Sequence, residues 1–444
     1  GKAYANDDKH PGRLLLYLRG YKRIGKGCIM KHLKQILGTE LRQFTMVIAL
    51  VALIIIFNIA TGGKVVTPSN FQNLLSGNAY VLVLAVGMLM VIVIGQIDLS
   101  VGSVAGFAGM VMALSAREFN LPWWVAALIG LAVGAIAGAW QGFWLARFNI
   151  PGFITTLGGM MIFRGGVIWI SKSISVPAPE ELKIIGAGYL PDWGPNTGLN
   201  NSTVLLGLLA IAAFTWSQLH KRRRIEKLSG KKEPLWPVLV RIVLVGLVIG
   251  YVTWLYSSGR PGTSFPVPGL ILVVLVIIYH IITQRTRFGR HIYAVGGNKS
   301  AATLSGVNVR RTYFLTMLNM SFLAALAGII FVGRSVAAGP SDGTGWELDA
   351  IASVFIGGAA VSGGIGTVIA TMVGGMVMAV LNNGLQLLGV GADRTQVIKG
   401  FVLLAAVVFD VYNKQRGRGS ITGRLFQTKQ EQPKPTEGDR KSVV

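Results

Sequence analysis

The chain has 444 residues, of which 52% are hydrophobic and only 14% charged, with a mean hydropathy of +0.56. Soluble domains carry about 25% charged residues, so this composition excludes an ordinary soluble enzyme, and its apolar content excludes intrinsic disorder. The net charge of +24 comes from 42 Lys and Arg against 18 Asp and Glu. These cations cluster in short stretches between apolar runs, the habit of a membrane protein, and no nucleic acid is expected as a partner.

Residues 1–43 form a basic segment with Lys22, Arg23, Lys26, Lys31, Lys34 and Arg42, and with Leu14, Leu15, Leu16 and Tyr17 set among cations. Such a segment is expected to lie on anionic membrane lipid. It shows no apolar run of the signal-peptide kind. The single cysteine, Cys28, cannot form an intrachain disulfide, and no Cys/His metal spacing occurs.

A span needs about 20 mostly apolar residues. In chain order, candidates fall near 44–60, 79–95, 100–116, 123–145, 153–171 and 202–219, then near 236–256, 267–283, 313–333, 348–365, 367–388 and 396–413. The pairs 79–116 and 348–388 are each interrupted by glycine-rich polar sequence, so each is either two spans or one span with a broken or re-entrant piece. The expectation is an all-α polytopic membrane domain over 44–413 with about 10–12 transmembrane helices, followed by a polar tail over 414–444.

Orientation follows from Lys and Arg. If the N-terminal segment is cytoplasmic, so is the basic loop 220–235, with Lys221, Arg222, Arg223, Arg224, Lys227, Lys231 and Lys232. The stretch 285–312 and the tail, with Lys414, Arg416, Arg418 and Arg424, fall on the same side. The opposite loops hold scattered cations such as Lys64, Lys172, Lys183, Arg260, Arg334 and Arg394. Both termini are therefore expected in the cytoplasm.

Within the fourth span, Gly130, Gly134, Gly138 and Gly142 recur every four residues, a smooth stripe that lets a neighbouring helix approach closely. Polar groups inside spans are costly and face a cavity or a partner. In Gly95-Gln96-Ile97-Asp98-Leu99-Ser100-Val101-Gly102-Ser103, two readings stand. Either a helix break lines a path, with Gln96 and Asp98 as hydrogen-bonding groups, or Asp98 ties down a helix end at the cytoplasmic interface. Ser100 is placed to cap the following helix. The stretch 356–367 has a similar arrangement of small residues, Ser and Gly, and hints at an internal duplication.

Asn382, Asn383 and Gln386 supply carboxamides, and Thr155, Thr156, Asn319 and Ser321 lie in otherwise apolar spans. Uncharged donors and acceptors suit a neutral polyol, and interhelical hydrogen bonds explain them equally. The loop Gly339–Asp349 reads as an outward, acidic loop, with Glu347 and Asp349 in the first turn of a helix, where carboxylates are stabilised. That placement explains them, and docking or gating is the sharper alternative.

Residues 285–312 read RTRFGRHIYAVGGNKSAATLSGVNVRRT. Asn298 is an N-cap and Gly306 a C′ residue, and the segment between them makes about two helical turns. So short a helix needs a partner to cover Ala301, Ala302 and Leu304. The run Gly296-Gly297-Asn298-Lys299-Ser300 lacks the spacing of a phosphate-binding loop, and no such motif occurs elsewhere, so the chain is not expected to hydrolyse ATP.

Three stretches, VGMLMVIVIGQIDLSVGSVAGFAG, IPGFITTLGGMMIFRG and FGRHIYAVGGNKSAATLSGVNV followed by SDGTGWELDAIASVFIGGAAVSGGIGTV, resemble the permease subunits of bacterial ABC importers for ribose, xylose, arabinose and related monosaccharides. The resemblance covers roughly 45–415 except most of 172–265. It looks closest to the xylose and multiple-monosaccharide branch, since the loop 220–235 and its flanking spans exceed the ribose type. It implies a homodimer in the inner membrane, a periplasmic sugar-binding protein outside and two ATPase subunits inside. ATP and Mg would belong to that partner, with no cofactor on this chain. It further implies a coupling helix built from Asn298, Lys299, Ser300, Ala301, Leu304, Ser305 and Gly306. An ion-coupled secondary sugar transporter, with Asp98 as the proton site, is the alternative. So is an ABC permease for another small solute such as autoinducer-2, a nucleoside or a branched-chain amino acid.

Overall fold

Inside lipid every backbone N–H and C=O must be satisfied within the chain, which leaves helices as the spanning elements for a sequence of long apolar runs. The computed structural model describes residues 46–195, 197–229 and 235–416. The N-terminal basic segment 1–43, most of the polar tail and residues 230–234 of the expected loop 220–235 lie outside the described residues, while residues 220–229 of that expected loop are helical. The helices are α1 (Met46–Ala60), α2 (Pro68–Val93), α3 (Val101–Glu118), α4 (Trp123–Phe148) and α5 (Gly152–Ser171). Next come the short α6 (Lys183–Ala187), the pair α7 (Asn201–Ser229) and α8 (Leu235–Ser257), and α9 (Val267–Arg285). The chain continues with α10 (Arg287–Gly297), α11 (Lys299–Leu304), α12 (Val309–Ser335), α13 (Trp346–Ile356), α14 (Val368–Leu387) and α15 (Ala392–Arg416).

Among the described residues, eight helices are long and apolar enough to cross a membrane. Each of the twelve expected spans falls on a helix, and of the two alternatives for 348–388 the structure takes the one with a re-entrant piece. The run 348–365 is not a span: α13 ends at Ile356 after 11 residues. At 1.5 Å per residue it is about 17 Å long, roughly half of a bilayer's hydrocarbon core. Residues 357–367 are turns, with Gly358, Gly363 and Gly364 at positive φ, and the apolar window had read through them.

Helices α2 and α12 form the centre. α12 packs on α2, α3 and α4, and α2 packs on α9, α13 and α14. The glycine stripe of α4 lies where α4 meets α12: a Cβ at Gly138 would come within 2.7 Å of the Leu318 Cα, and one at Gly142 within 3.0 Å of the Phe314 carbonyl oxygen. By contrast α7 and α8 form a peripheral hairpin. They pack on each other, leave Leu208, Trp216, Val243 and Leu247 exposed, and bury Thr203 and Gly207 near the start of α7 and Leu255, Tyr256 and Ser257 at the end of α8. Gln72 of α2 fixes that end by donating to the Tyr256 carbonyl at 2.9 Å.

At the end of the bundle opposite α10 and α11, β1 (Val176–Pro177) pairs antiparallel with β2 (Ala337–Ala338). From β2 the chain turns back into the bundle. Residues 339–345 descend beside α3 until the Asp342 and Gly343 carbonyls press on Gly106 and Gly102. α13 then runs toward the basic end. The acidic loop expected on the outer surface is therefore corrected to a re-entrant segment. Hydropathy marks it as a loop, and only the glycine pair Gly102 and Gly343 reveals that two backbones meet there.

The two breaks expected from sequence meet at the basic end. The Gly364 N–H donates to the Val93 carbonyl at 2.8 Å, and Gly296 of α10 is wedged against the same carbonyl. Tyr293 of α10 donates its hydroxyl to the Gly366 carbonyl at 2.7 Å. One backbone knot thus joins the first break, the second break and the helix that leads into α11.

Candidate functional site

Polar side chains gather at three places in the bundle. The first lies where α3, α4, α5 and the re-entrant loop converge. Asp98 is fully buried and accepts the Ser100 N–H at 2.8 Å and the Ser100 hydroxyl at 2.6 Å through Oδ1. Gln141 of α4 donates to the Ser100 hydroxyl at 2.7 Å. Ser100 therefore does not cap α3 with its side chain. Its oxygen is committed to Asp98 and Gln141, and Asp98 takes the free N–H instead. Thr156 of α5 accepts the Leu99 N–H at 3.1 Å, while Thr155 turns back on the Pro151 carbonyl. Arg164 of α5 donates to the Asp342 carbonyl at 2.9 Å and so pins the re-entrant loop to the bundle.

Four buried polar atoms here have no partner among the described residues: Asp98 Oδ2, Ser103 Oγ, Gln141 Oε1 and Glu347 Oε2. Leaving such groups unpaired in an apolar interior costs about 1–3 kcal/mol each. Buried polar groups ordinarily find a partner, so this cluster of four is the exception to be explained at this site.

The second place lies between α13, α14 and α15, where a cavity of about 250 Å³ is lined by Tyr80, Trp346, Asp349, Gln396 and Lys399 among others. Lys399 donates to Asp349 Oδ2 at 2.9 Å. Asn382 lies beside Asp349, and its own Oδ1 is buried without a partner among the described residues. Asn383 points elsewhere and exchanges two 2.9 Å bonds with Asn70. Gln386 is exposed near the end of α14, and Asn319 accepts the hydroxyl of Tyr279. The carboxamides singled out from sequence therefore separate: one lies beside Asp349, one is spent on a helix–helix bond and one faces outward.

The third place is the basic end. A cavity of about 350 Å³ is lined by Gln96, Asn149, Gly152, Lys299 and Tyr313, among others. Gln96 Oε1 accepts the Gly152 N–H at 2.8 Å, and Lys299 donates to Asn149 at 3.1 Å. Lys299 also lies 5.4 Å over the ring of Tyr313. A residue expected on the path and one expected on the coupling helix thus share one cavity wall.

α11 itself is built as its sequence dictates. Asn298 Oδ1 accepts the Ala301 N–H at 2.9 Å, and Gly306 turns the chain with φ of +81°. The expectation that a partner must cover all three apolar residues is corrected in part: Ala302 is already buried by the chain, whereas Leu304 is 90% exposed. Ser300 and Ala301 are exposed beside it, and Ser305 donates to the Ala301 carbonyl.

Sequence reasoning missed Arg164, Gln141, Tyr80, Trp346 and Lys399. Arg164 and Lys399 were detectable as cations within apolar runs. Tyr80 and Trp346 carry no such signal, because aromatic residues belong in any apolar helix. Among the described residues no group of three His, Cys, Asp or Glu is placed to hold a metal ion.

Broken helices, a re-entrant half-helix and polar groups threaded through an apolar bundle define a polytopic membrane permease. The family model described as the permease component of the branched-chain amino acid transport system matches residues 70–407, and the chain belongs to that family. It is 36% identical over 380 residues to the xylose transport system permease protein of Haemophilus influenzae, covering 85% of this chain and 98% of that one. It is 37% identical over 378 residues to the Escherichia coli K12 xylose permease, covering 85% of this chain and 93% of that one. It is also 32% identical over 365 residues to the ribose import permease of the same strain, covering 82% and 92%. No solved structure matches the chain.

Proposed function

We propose that the chain is the membrane permease of an ATP-driven importer that moves a monosaccharide, a pentose such as xylose or a related hexose, into the cytoplasm by alternating access. The end carrying α10 and α11 faces the cytoplasm of a bacterial inner membrane, in accord with its cations. A partner ATPase, which holds ATP and Mg, seats on α11, and a periplasmic sugar-binding protein delivers the solute from the other side. Two copies of the chain form the transporter within the lipid, and no cofactor is needed on the chain itself.

One observation carries this reading: a capped two-turn helix presents Leu304, 90% exposed, at the end of the backbone knot that grips both helix breaks. A helix of this length is not stable alone, and an exposed leucine beside exposed Ala301 suits a protein partner. Pulling on α11 moves Gly296, and with it Val93 and Gly364. Rocking of packed helices about such breaks is the ordinary route to alternating access.

The test is uptake of labelled pentoses and hexoses into proteoliposomes, with the chain alone or with its ATPase and binding protein, with and without ATP. Uptake that needs all three components and ATP is expected. Uptake by the chain alone, abolished by an uncoupler, would overturn the reading in favour of an ion-coupled transporter, for which buried Asp98 is the leading proton site. Uptake of a nucleoside, autoinducer-2 or a branched-chain amino acid, and of no sugar, would keep the machinery and overturn the substrate.

A further inference from the structure

We infer that the cavity between α13, α14 and α15 is where a single monosaccharide rests within the permease, an inference that builds on the importer reading above. The cavity lies at mid-depth. Tyr80 stands halfway along α2 (Pro68–Val93), and Trp346, which opens the half-helix α13, packs on its ring at a centroid distance of 4.3 Å. Its volume of about 250 Å³ is below the roughly 300–1,000 Å³ of clefts that hold drug-sized ligands, so it takes a solute of one sugar ring and not a disaccharide.

A pyranose presents two chemistries, apolar C–H faces and a rim of hydroxyls. Both are met here. Tyr80 and Trp346 supply aromatic surface with a polar handle. Asp349, Lys399 and Gln396 supply acceptors and donors on the other sides. Asp349 is 6% exposed and its charge is matched by Lys399, so the wall offers charge-assisted hydrogen bonds without a net charge that would hold an ion. A zwitterionic amino acid would find these two charges already spent on each other.

The pair is also poor value as a structural device. A buried ion pair is often no more stabilising than apolar residues of similar volume, and α15 has many apolar residues that would serve. Its place in the wall of an aromatic-lined cavity, together with Gln396, points to a ligand that uses the pair's remaining hydrogen-bonding capacity. The cavity touches the start of α13, whose far end joins the knot at Val93 and Gly364. Movement of α11 therefore reaches the cavity through one short helix.

The experiment uses the complete transporter in liposomes, with Cys28→Ser and Gln396→Cys in the permease, and follows modification of the single thiol by a small water-soluble thiosulfonate. D-xylose, D-ribose and L-leucine are the competing solutes. Site occupancy slows labelling by one plus the ratio of concentration to Kd, so a sugar at ten times its Kd gives about elevenfold protection. Protection by a transported sugar and none by leucine is expected. The double variant Asp349→Leu with Lys399→Met removes both charges together and leaves neither stranded. It is expected to assemble, with an unchanged size-exclusion profile of the complex, while losing sugar protection.

If the transporter imports the sugar and labelling is unaffected by it, the cavity assignment is wrong and the importer reading stands. If protection survives in the double variant, the pair is structural and the assignment of these residues fails. If no monosaccharide is imported at all, it is the underlying reading that fails. Protection by leucine alone would overturn the sugar as occupant.

Discussion

At Gly343 the backbone turns with φ of +83° while its α-carbon faces the Gly102 carbonyl so closely that a Cβ would overlap it. An L-residue in that conformation costs about 1–2 kcal/mol before any clash, and backbone atoms on two elements cannot step aside. Gly343→Ala is therefore expected to abolish the folded permease. Gly246→Ala, in open space on α8, is expected to leave it intact, with detergent-solubilised yield and size-exclusion profile as the measurement. The same contrast explains what sequence could say at single positions. Asp98 announced itself as a carboxylate between apolar runs, and the structure buries it. Asn382 and Asn383 are indistinguishable in sequence, yet one lies beside Asp349 and the other is consumed by Asn70. Which neighbour a side chain meets is a property of the bundle and is not written in its own segment.

Caps made α11 legible as an element. Asn298 and Gly306 bound it in sequence, and both act as caps in the structure. The half-helix α13 was legible as one of two alternatives: the glycine-rich stretch 356–367 signalled a break, but a hydropathy window averages across these turns and could not choose between a full span and a re-entrant piece. Exposure of Leu304 makes the coupling role testable at this scale. Leu304→Asp removes no contact within the chain, so the variant is expected to fold and to hydrolyse ATP with its partner while sugar uptake falls to background. Normal uptake would dismiss α11 as the seat of the ATPase. Asn298→Ala removes the cap at a cost of about 1 kcal/mol. That frays α11 without touching its surface, so a milder, temperature-sensitive loss of the same coupling is expected from uptake measured across a range of temperatures.

For the whole molecule, the question is how a push at one end opens a path at mid-depth. The knot at the basic end offers one answer in three bonds' reach: α10 carries Gly296 and Tyr293, the first break carries Val93, and the second carries Gly364 and Gly366. Backbone packing holds most of this junction, and the Tyr293 hydroxyl to Gly366 carbonyl bond at 2.7 Å is the one side-chain link that can be cut cleanly. Tyr293→Phe keeps the ring and its packing and removes one hydrogen bond worth about 0.5–1.5 kcal/mol net. Since 1.4 kcal/mol is about tenfold in an equilibrium, the coupling between α10 and the second break is expected to weaken by roughly twofold to twelvefold. The prediction is a drop of that size in sugar moved per ATP hydrolysed, with unchanged expression and an unchanged ATPase rate, measured on the reconstituted complex. An unaltered ratio would mean that the junction moves as one rigid body held by its glycines alone. Transmission would then run through the helix axes of α2 and α12 and not through the breaks.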